Sequence, residues 1–323
     1  MNFSQLAQIE RELVDRSFVL HRDIYSMLPG ETSENEVAIS GFGGYFFLKL
    51  GSNAWEKQLT GEMVLTDEAI HRWIQLIVER MNKSKEIGFN LIHMIIPEKQ
   101  IIFPQFRWGV YHSDINLDRR ISKQLVNALS PYARFVYPAD LLINYQSECE
   151  LYFRGDSHWC ATGCIIAGLD IINRLLPDKA ISLDSVNYIN FERNVWAVDL
   201  PSNFLPKEKM TLVGLYTAIC HEAILIKRPG KTIYDNKLDR ITGQHLGNRY
   251  VILNENSMTD EEVAIFGDSY AFACGFSDLF AYFFRKTHFF WEKNIDFNYI
   301  NDNRIKHVVW ESCERFLVSI PTL

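Results

Sequence analysis

The sequence predicts an α/β fold: a three-layer α/β/α sandwich around a mostly parallel sheet, with a β-rich insertion. Two observations carry that expectation. Amphipathic helical stretches alternate with short apolar runs through roughly residues 66–177, the pattern of a parallel sheet covered on both faces. The alternation lapses from about 178 to 258, where strand-like segments take over, and resumes at "EEVAIFGDSYAF". No repeat or low-complexity linker separates these parts. Residues 1–323 therefore read as a single domain, with 178–258 as a β-rich insertion or cap within it.

"VLTDEAIHRWIQLIVERMNKSKEIG" sets Ile70, Ile74, Ile77, Val78 and Met81 at helical spacing, with Thr66 or Asp67 as cap and Gly88 as stop. "FNLIHMIIPEKQ" reads as a buried strand ended by Pro97. "SDINLDRRISKQLVNALSPY" reads as a second helix and "ARFVYPADLL" as a second strand. "TGCIIAGLDIINRLL" gives a third helix, ended by Pro177. Within the insertion, "YINFERNVWAVDL" and "TLVGLYTAICHEAILIKR" look strand-like, with a turn at Arg228-Pro229-Gly230. "VAIFGDSYAF" then predicts a strand, a tight turn and an apolar helix. "THFFWEK" and "KHVVWESCERF" add two strands.

Composition narrows the partners. Of 323 residues 47% are hydrophobic and 23% charged, the proportions of an ordinary soluble protein. A formal charge of −7 without a basic block argues against nucleic acid or anionic membrane as partner. "MNFSQLAQIERELVDRSFVL" mixes charges into its apolar positions, so it does not read as a signal peptide. No run approaches the roughly 18 apolar residues a membrane span needs, and a cytoplasmic location is expected. None of the six cysteines (Cys149, Cys160, Cys164, Cys220, Cys274, Cys313) forms a CxxC pair, which predicts reduced, buried thiols and no zinc.

Two segments carry chemistry. In "VAIFGDSYAF" an apolar strand runs into Gly267, and Asp268 and Ser269 sit where a helix begins. Ser269 then lies at the carboxyl end of a strand, where α/β sheets form their ligand crevices. The backbone N–H of Ser269 or Tyr270, with the helix dipole, suits an oxyanion. A serine nucleophile needs a base, itself held by a third group. "LYFRGDSHWCATG" offers Asp156-x-His158. In an extended segment residues i and i+2 project to one side, so Asp156 can hold one imidazole nitrogen while the other faces Ser269.

Rival readings fit worse. Arg154–Ser157 spells an adhesive RGDS tetrapeptide, which has no role in a cytosolic chain. Binuclear metallophosphatases also begin with Asp-x-His, but they need GDxxD and a later GNH or GND. Here Gly267-Asp268 is followed by Ser269, Tyr270 and Ala271, while Gly247-Asn248 precedes it and is followed by Arg249. No metal is expected.

With "GDSHWCATG" preceding "IFGDSYAF", the sequence resembles the SGNH-hydrolase superfamily, in its alginate O-acetyltransferase-like branch. Weaker matches are "GGYFFLKLGSN" as opening strand, "IIPEKQIIFP" as a proline–lysine strand end, "WAVDLP", and "VVWESCERFL" as closing strand. The resemblance implies an SGNH-like sandwich with Ser269 as nucleophile, His158 as base and Asp156 as its orienting partner. It further implies a saccharide O-acetyltransferase, in capsule or other surface-polysaccharide synthesis, working through an acetyl-serine. Members of this type are usually exported or membrane-anchored. The departure here favours a soluble donor such as acetyl-CoA, with no bound cofactor.

Candidate substrate contacts are Lys99, Arg154, Trp159, Trp291 and Asn294, beside Glu292. Trp196, Asp199, Asn203, Tyr216, His221 and His245 could form a sugar platform in the insertion. The plainer alternatives are a solvated Lys99, a Trp159 packed beside His158, and a structural Glu314–Arg315 ion pair. Two other functions stay open: a carbohydrate O-acetyl esterase with the same machinery, and a catalytically silent carbohydrate-binding module.

Overall fold

Continuous burial along the apolar runs sets β-strands at the centre of the molecule, covered on both faces. The computed structural model describes residues 1–20, 22–108, 119–132, 135–179, 181–204, 220–236 and 247–322. Its strands are β1 (Ala38–Ser40), β2 (Phe46–Leu48), β3 (Asn90–Ile96), β4 (Phe135–Val136), β5 (Phe191–Ala197) and β6 (Cys220–Ile226). They continue with β7 (Lys231–Asn236), β8 (Arg249–Leu253), β9 (Thr259–Gly267), β10 (Phe284–Trp291) and β11 (His307–Cys313). A seven-stranded sheet runs in the order β4-β3-β11-β9-β10-β8-β7. From β4 to β10 the neighbours are parallel; β8 and β7 add on antiparallel.

The central strands are buried on both faces, hence their near-continuous apolar sequence. Val263 and Ile265 of β9 join Ile92 and Met94 in one core, under the helices Ala161–Leu175 and Phe276–Phe283. Ala264 and Phe266 join Leu91 and Ile95 in the other, under Asp67–Ile87 and Ile121–Leu129. This is the expected three-layer α/β/α sandwich. The helix Asp67–Ile87 starts where Thr66 accepts from the Ala69 N–H and stops at Gly88, whose φ is 86°. Its buried stripe centres on Trp73, Leu76 and Ile77, with Ile70, Ile74 and Met81 along its margins.

Some local expectations change. "ARFVYPADLL" makes only the two-residue β4 before the helix Ala139–Tyr145, because Pro138 cannot extend a strand's hydrogen bonding and suits a helix start. "GGYFFLKLGSN" does not open the main sheet. Gly43 and Gly44, with φ of 64° and 72°, turn the chain so that β2 pairs back on β1 in a separate antiparallel ribbon. The second helix is Ile121–Leu129; residues 113–118 of its expected start lie outside the described residues. Within 178–258, β5 pairs with β6, whereas β7 and β8 extend the main sheet beside β10. No disulfide joins Cys149, Cys160, Cys164, Cys274 or Cys313, all of which are buried; Cys220 is half-buried. Among the described residues no helix is long and apolar enough to cross a membrane.

Candidate active site

The carboxyl ends of β3, β9 and β11 face the loop that follows residue 150. β9 ends at Gly267, where a Cβ would stand 2.5 Å from Glu311 Oε2 and 2.7 Å from the Ala271 Cβ. Only glycine passes this point without displacing a neighbour. Asp268 then caps the short turn Ser269–Phe272: its Oδ1 accepts from the Tyr270 N–H at 2.9 Å. Its Oδ2 accepts from the Cys313 N–H at 2.8 Å, and its own N–H donates to Glu311 Oε2 at 3.0 Å. The Tyr270 N–H is thereby committed and is not an oxyanion donor, contrary to one sequence expectation. The N–H of half-buried Ser269 has no partner among the described residues.

Asp156 and His158 sit in a turn, not an extended segment. Tyr152 pairs antiparallel with Trp159, and the Phe153 N–H donates to the His158 carbonyl at 3.2 Å, closing a tight hairpin around residues 154–157. Asp156 Oδ1 accepts from the His158 N–H at 2.8 Å, the i-to-i+2 bond of an aspartate turn, and faces His158 Nδ1 at 2.6 Å. The other ring nitrogen, Nε2, lies 2.9 Å from Ser269 Oγ. The structure thus brings the three residues into one line, by turn geometry in place of strand alternation.

Two donors hold the far oxygen of Asp156: the Trp196 indole Nε1–H at 3.0 Å and the Asp199 N–H at 3.2 Å. Burial opposes charge on Asp156, but the His158 imidazole, its N–H groups and Trp196 outweigh it and hold the carboxyl down at about 2. Burial also opposes charge on His158; the Asp156 carboxylate and then Asp199 overcome it and raise the imidazole above its ordinary value. An ionised Asp156 fixes the Nδ1–H tautomer and leaves Nε2 free to accept from the Ser269 hydroxyl.

Lys99 does something the sequence did not suggest. It is neither solvated nor at a substrate surface: 1% exposed, its Nζ donates to the carbonyls of Phe153 (2.9 Å), Arg154 (3.0 Å) and Asp156 (2.7 Å). Burial pulls its pKa down to about 7, against the pull of Asp199 and Asp156. One buried ammonium therefore gathers the loop that carries Asp156. No sequence signal separates this lysine from an exposed one except its place between a buried strand and "QIIF".

The remaining expectations sort by what each side chain touches. Trp159 is fully buried against Phe276 and Tyr270, so it packs and offers no face to a sugar. Arg154 is tied to Glu150 at 2.7 Å and to the Gly43 carbonyl at 3.3 Å, over the Tyr45 ring. Asn294 accepts from the Thr322 N–H at 3.0 Å and so anchors the C-terminal segment instead of the site. Glu292 pairs with Arg249 at 2.8 Å. Trp291 is half-buried and stacks at 5.3 Å on Phe272, three residues beyond Ser269. Trp196 and Asp199 support the Asp156 turn, the latter also accepting from Ser157 N–H (2.8 Å) and Oγ–H (2.6 Å). Asn203 donates to the Asp199 carbonyl at 2.8 Å, and His221 packs on Phe153. Tyr216 and His245 lie outside the described residues. Glu314 and Arg315 do not pair with each other: Glu314 takes Arg120 at 3.1 Å, and Arg315 takes Glu98 at 2.5 Å.

Asp156, His158 and Asp199 bring ligand-type atoms within 4.8 Å of one another. Each carboxylate already accepts from N–H or O–H donors, and an indole N–H aimed at Asp156 would face any cation bound there. The donor set suits a proton relay better than a metal.

No protein-family model matches the sequence, and no curated protein matches it either. Solved structures do share the fold. A DHHW family protein from Eubacterium siraeum DSM 15702 matches with TM-score 0.59 and 12% identity, over 88% of this chain and 92% of that one. Bacillus cereus PatB1 with a sulfonyl adduct matches with TM-score 0.52 and 14% identity, over 79% of this chain and 97% of that one. The O-acetyltransferase domain of Pseudomonas putida AlgJ matches with TM-score 0.52 and 14% identity, over 88% of this chain and 94% of that one. What the chain shares with them is the fold.

Proposed function

We propose that the protein is a saccharide O-acetyltransferase, acting in the synthesis of capsule or another surface polysaccharide. The observation that carries the reading is the line Ser269 Oγ–His158 Nε2 (2.9 Å) and His158 Nδ1–Asp156 Oδ1 (2.6 Å), at the carboxyl edge of a parallel sheet. A fold shared with an O-acetyltransferase domain supports it.

In this reading His158 Nε2 takes the Ser269 proton as Oγ bonds to the acetyl carbon of the donor, with acetyl-CoA the soluble thioester of choice. The open Ser269 N–H donates to the tetrahedral oxyanion. Collapse breaks the C–S bond, and the imidazolium returns the proton to the departing thiolate. His158 then deprotonates a saccharide hydroxyl, whose oxygen attacks the acetyl-serine; the sugar ester leaves and Ser269 regains its proton. Asp156 stays ionised throughout and stabilises the imidazolium.

The test pairs a thiol-release assay with mass spectrometry of a panel of oligosaccharides. A suitable acceptor should accelerate thiol release and gain acetyl groups, because a positioned hydroxyl outcompetes bulk water. Ser269→Ala should lose activity by about 10⁴-fold. Undiminished transfer by Ser269→Ala would overturn the covalent route. Rapid deacetylation of acetylated sugars, with no acceptor modified, would replace the transferase by an esterase.

A further inference from the structure

A cavity of about 340 Å³ opens beside the carboxyl ends of β3 and β4, within the roughly 300–1,000 Å³ of small-ligand clefts. Its charged and polar lining includes Arg107, Arg120, Lys123, Ser122, Tyr137 and Asp140. Arg107 is only 8% exposed, its Nε has no partner, and no described residue forms an ion pair with it. Burial and the neighbouring Arg120 pull its pKa down to about 10, which still leaves it charged at neutral pH. The buried acid nearby is already spent: Glu314 accepts from Arg120 at 3.1 Å and from the hydroxyls of Ser122 and Tyr137. A buried guanidinium without a counter-charge is costly, and a bound anion would remove that cost.

A second feature points the same way. The helix Ile121–Leu129 begins at this cavity, and among the described residues no side chain caps its N-terminus. Its first-turn N–H groups and dipole favour negative charge there. The lining thus supplies the Arg107 guanidinium, the Arg120 guanidinium that also serves Glu314, the Lys123 ammonium and a helix end. That array fits a multi-oxygen tetrahedral anion better than a flat carboxylate. Asp140 is exposed at the rim, where solvent screens it.

We infer that this cavity binds a phosphate group carried by a substrate, held by Arg107, Arg120, Lys123 and the open start of the helix Ile121–Leu129. The cavity shares an edge of the sheet with Ser269. Glu314 Oε2 accepts from the Glu98 N–H (3.1 Å), Glu98 takes Arg315 (2.5 Å), and the Arg315 guanidinium lies 5.6 Å from the Tyr270 ring. The bearer of the phosphate, a phosphorylated acyl donor or a phosphorylated saccharide, rests on the acyl-transfer reading; the binding itself does not.

The test therefore uses Ser269→Ala protein, which binds without turning over. Pyrophosphate, coenzyme A and a uridine-diphosphate sugar are titrated calorimetrically, alone and in competition. Pyrophosphate should bind and displace whichever of the other two is the phosphate's bearer, and Arg107→Gln should weaken binding about tenfold or more. Arg107→Lys should recover part of it. Arg107→Gln should melt at or above the parent temperature, since it removes an uncompensated buried charge; a purely structural arginine would lower it. No binding of any of the three ligands, or binding indifferent to Arg107→Gln, overturns the inference. Phosphate binding without acetyl transfer in the unmutated enzyme would sink the acyl-transfer reading alone.

Discussion

Replacing Trp196 by phenylalanine would remove a donor from the back of the Asp156 carboxylate while keeping an aromatic ring against Phe153. In the native site the indole N–H reaches Oδ2 at 3.0 Å, and the ring stacks on Phe153 at 6.0 Å. A hydrogen bond to a charged group is worth about 1.5–3 kcal/mol net, or roughly 10- to 100-fold in rate if fully expressed in the transition state. The Asp199 N–H, at 3.2 Å, remains on the same oxygen, so the lower end applies: about a tenfold loss in kcat with KM unchanged. The sugar-platform reading of Trp196 expects the opposite split, a raised KM at full kcat. Initial rates of thiol release against acceptor concentration separate the two. The pH profile adds a control. Its acid limb should fall above the ordinary imidazole value, because Asp156 and Asp199 raise His158, and activity should be lost as pH drops through it. Trp196→Phe should leave that limb in place, whereas Asp156→Asn should move it down. An unchanged kcat in Trp196→Phe would show that the indole bond does not support the aspartate.

Lys99→Met should leave three loop carbonyls without their donor and cost at least about 3 kcal/mol by denaturant titration; a native midpoint would refute its organising role. Gly267→Ala should cost about 1–3 kcal/mol and reduce kcat, since its Cβ meets Glu311 and Ala271; normal activity would show that the turn yields freely. Glu10 accepts from the Ala161 and Thr162 N–H groups, and burial raises its carboxyl from 4.5 to about 7. A folded pKa above the unfolded one means stability is full below about pH 4.5 and falls by about 3 kcal/mol as pH rises through 7. Glu10→Gln should flatten that slope. Melting at pH 5 and pH 8 in a His158→Gln background reads it, because the raised His158 adds a slope of the same sign; an unaltered slope would refute the assignment.

The central strands were legible in the sequence because both faces are buried and their apolar runs are unbroken, as in "VAIF" and "NLIHMII". The helix Asp67–Ile87 was legible because it carries both its cap and its stop. The meeting of His158 with Ser269 could be anticipated only through chemical role, since 111 positions separate them. What escaped was whatever depends on a partner distant in sequence. Lys99 looks like any lysine near a proline until three carbonyls from residues 153–156 surround it. Trp159 and Trp196 are alike as residue types, yet one is sealed beneath Tyr270 and the other bonds Asp156. β7 has a largely exposed face, so its pattern is that of an edge strand, and nothing in it names the sheet it joins.

The most telling case is the set of acids at the carboxyl edge, which the sequence scatters among three motifs. The β9–β11 ladder stops at Phe266↔Trp310, and the β3–β11 ladder stops at Ile96↔Cys313. Beyond those points the backbone pairing between these strands ends, next to the turn that carries Ser269. The end of pairing would leave buried N–H groups without partners, and three of them are met by carboxylates from neighbouring strand ends. Glu311 takes the Asp268 N–H, Asp268 takes the Cys313 N–H, and Glu314 takes the Glu98 N–H. Burial, then the adjacent Asp268, pushes the Glu311 carboxyl well above its ordinary value. Side-chain bridges thus continue the ladders where the backbones can no longer reach each other. The turn that carries Ser269 is thereby fixed from below by bonds to β11 on both sides of Asp268.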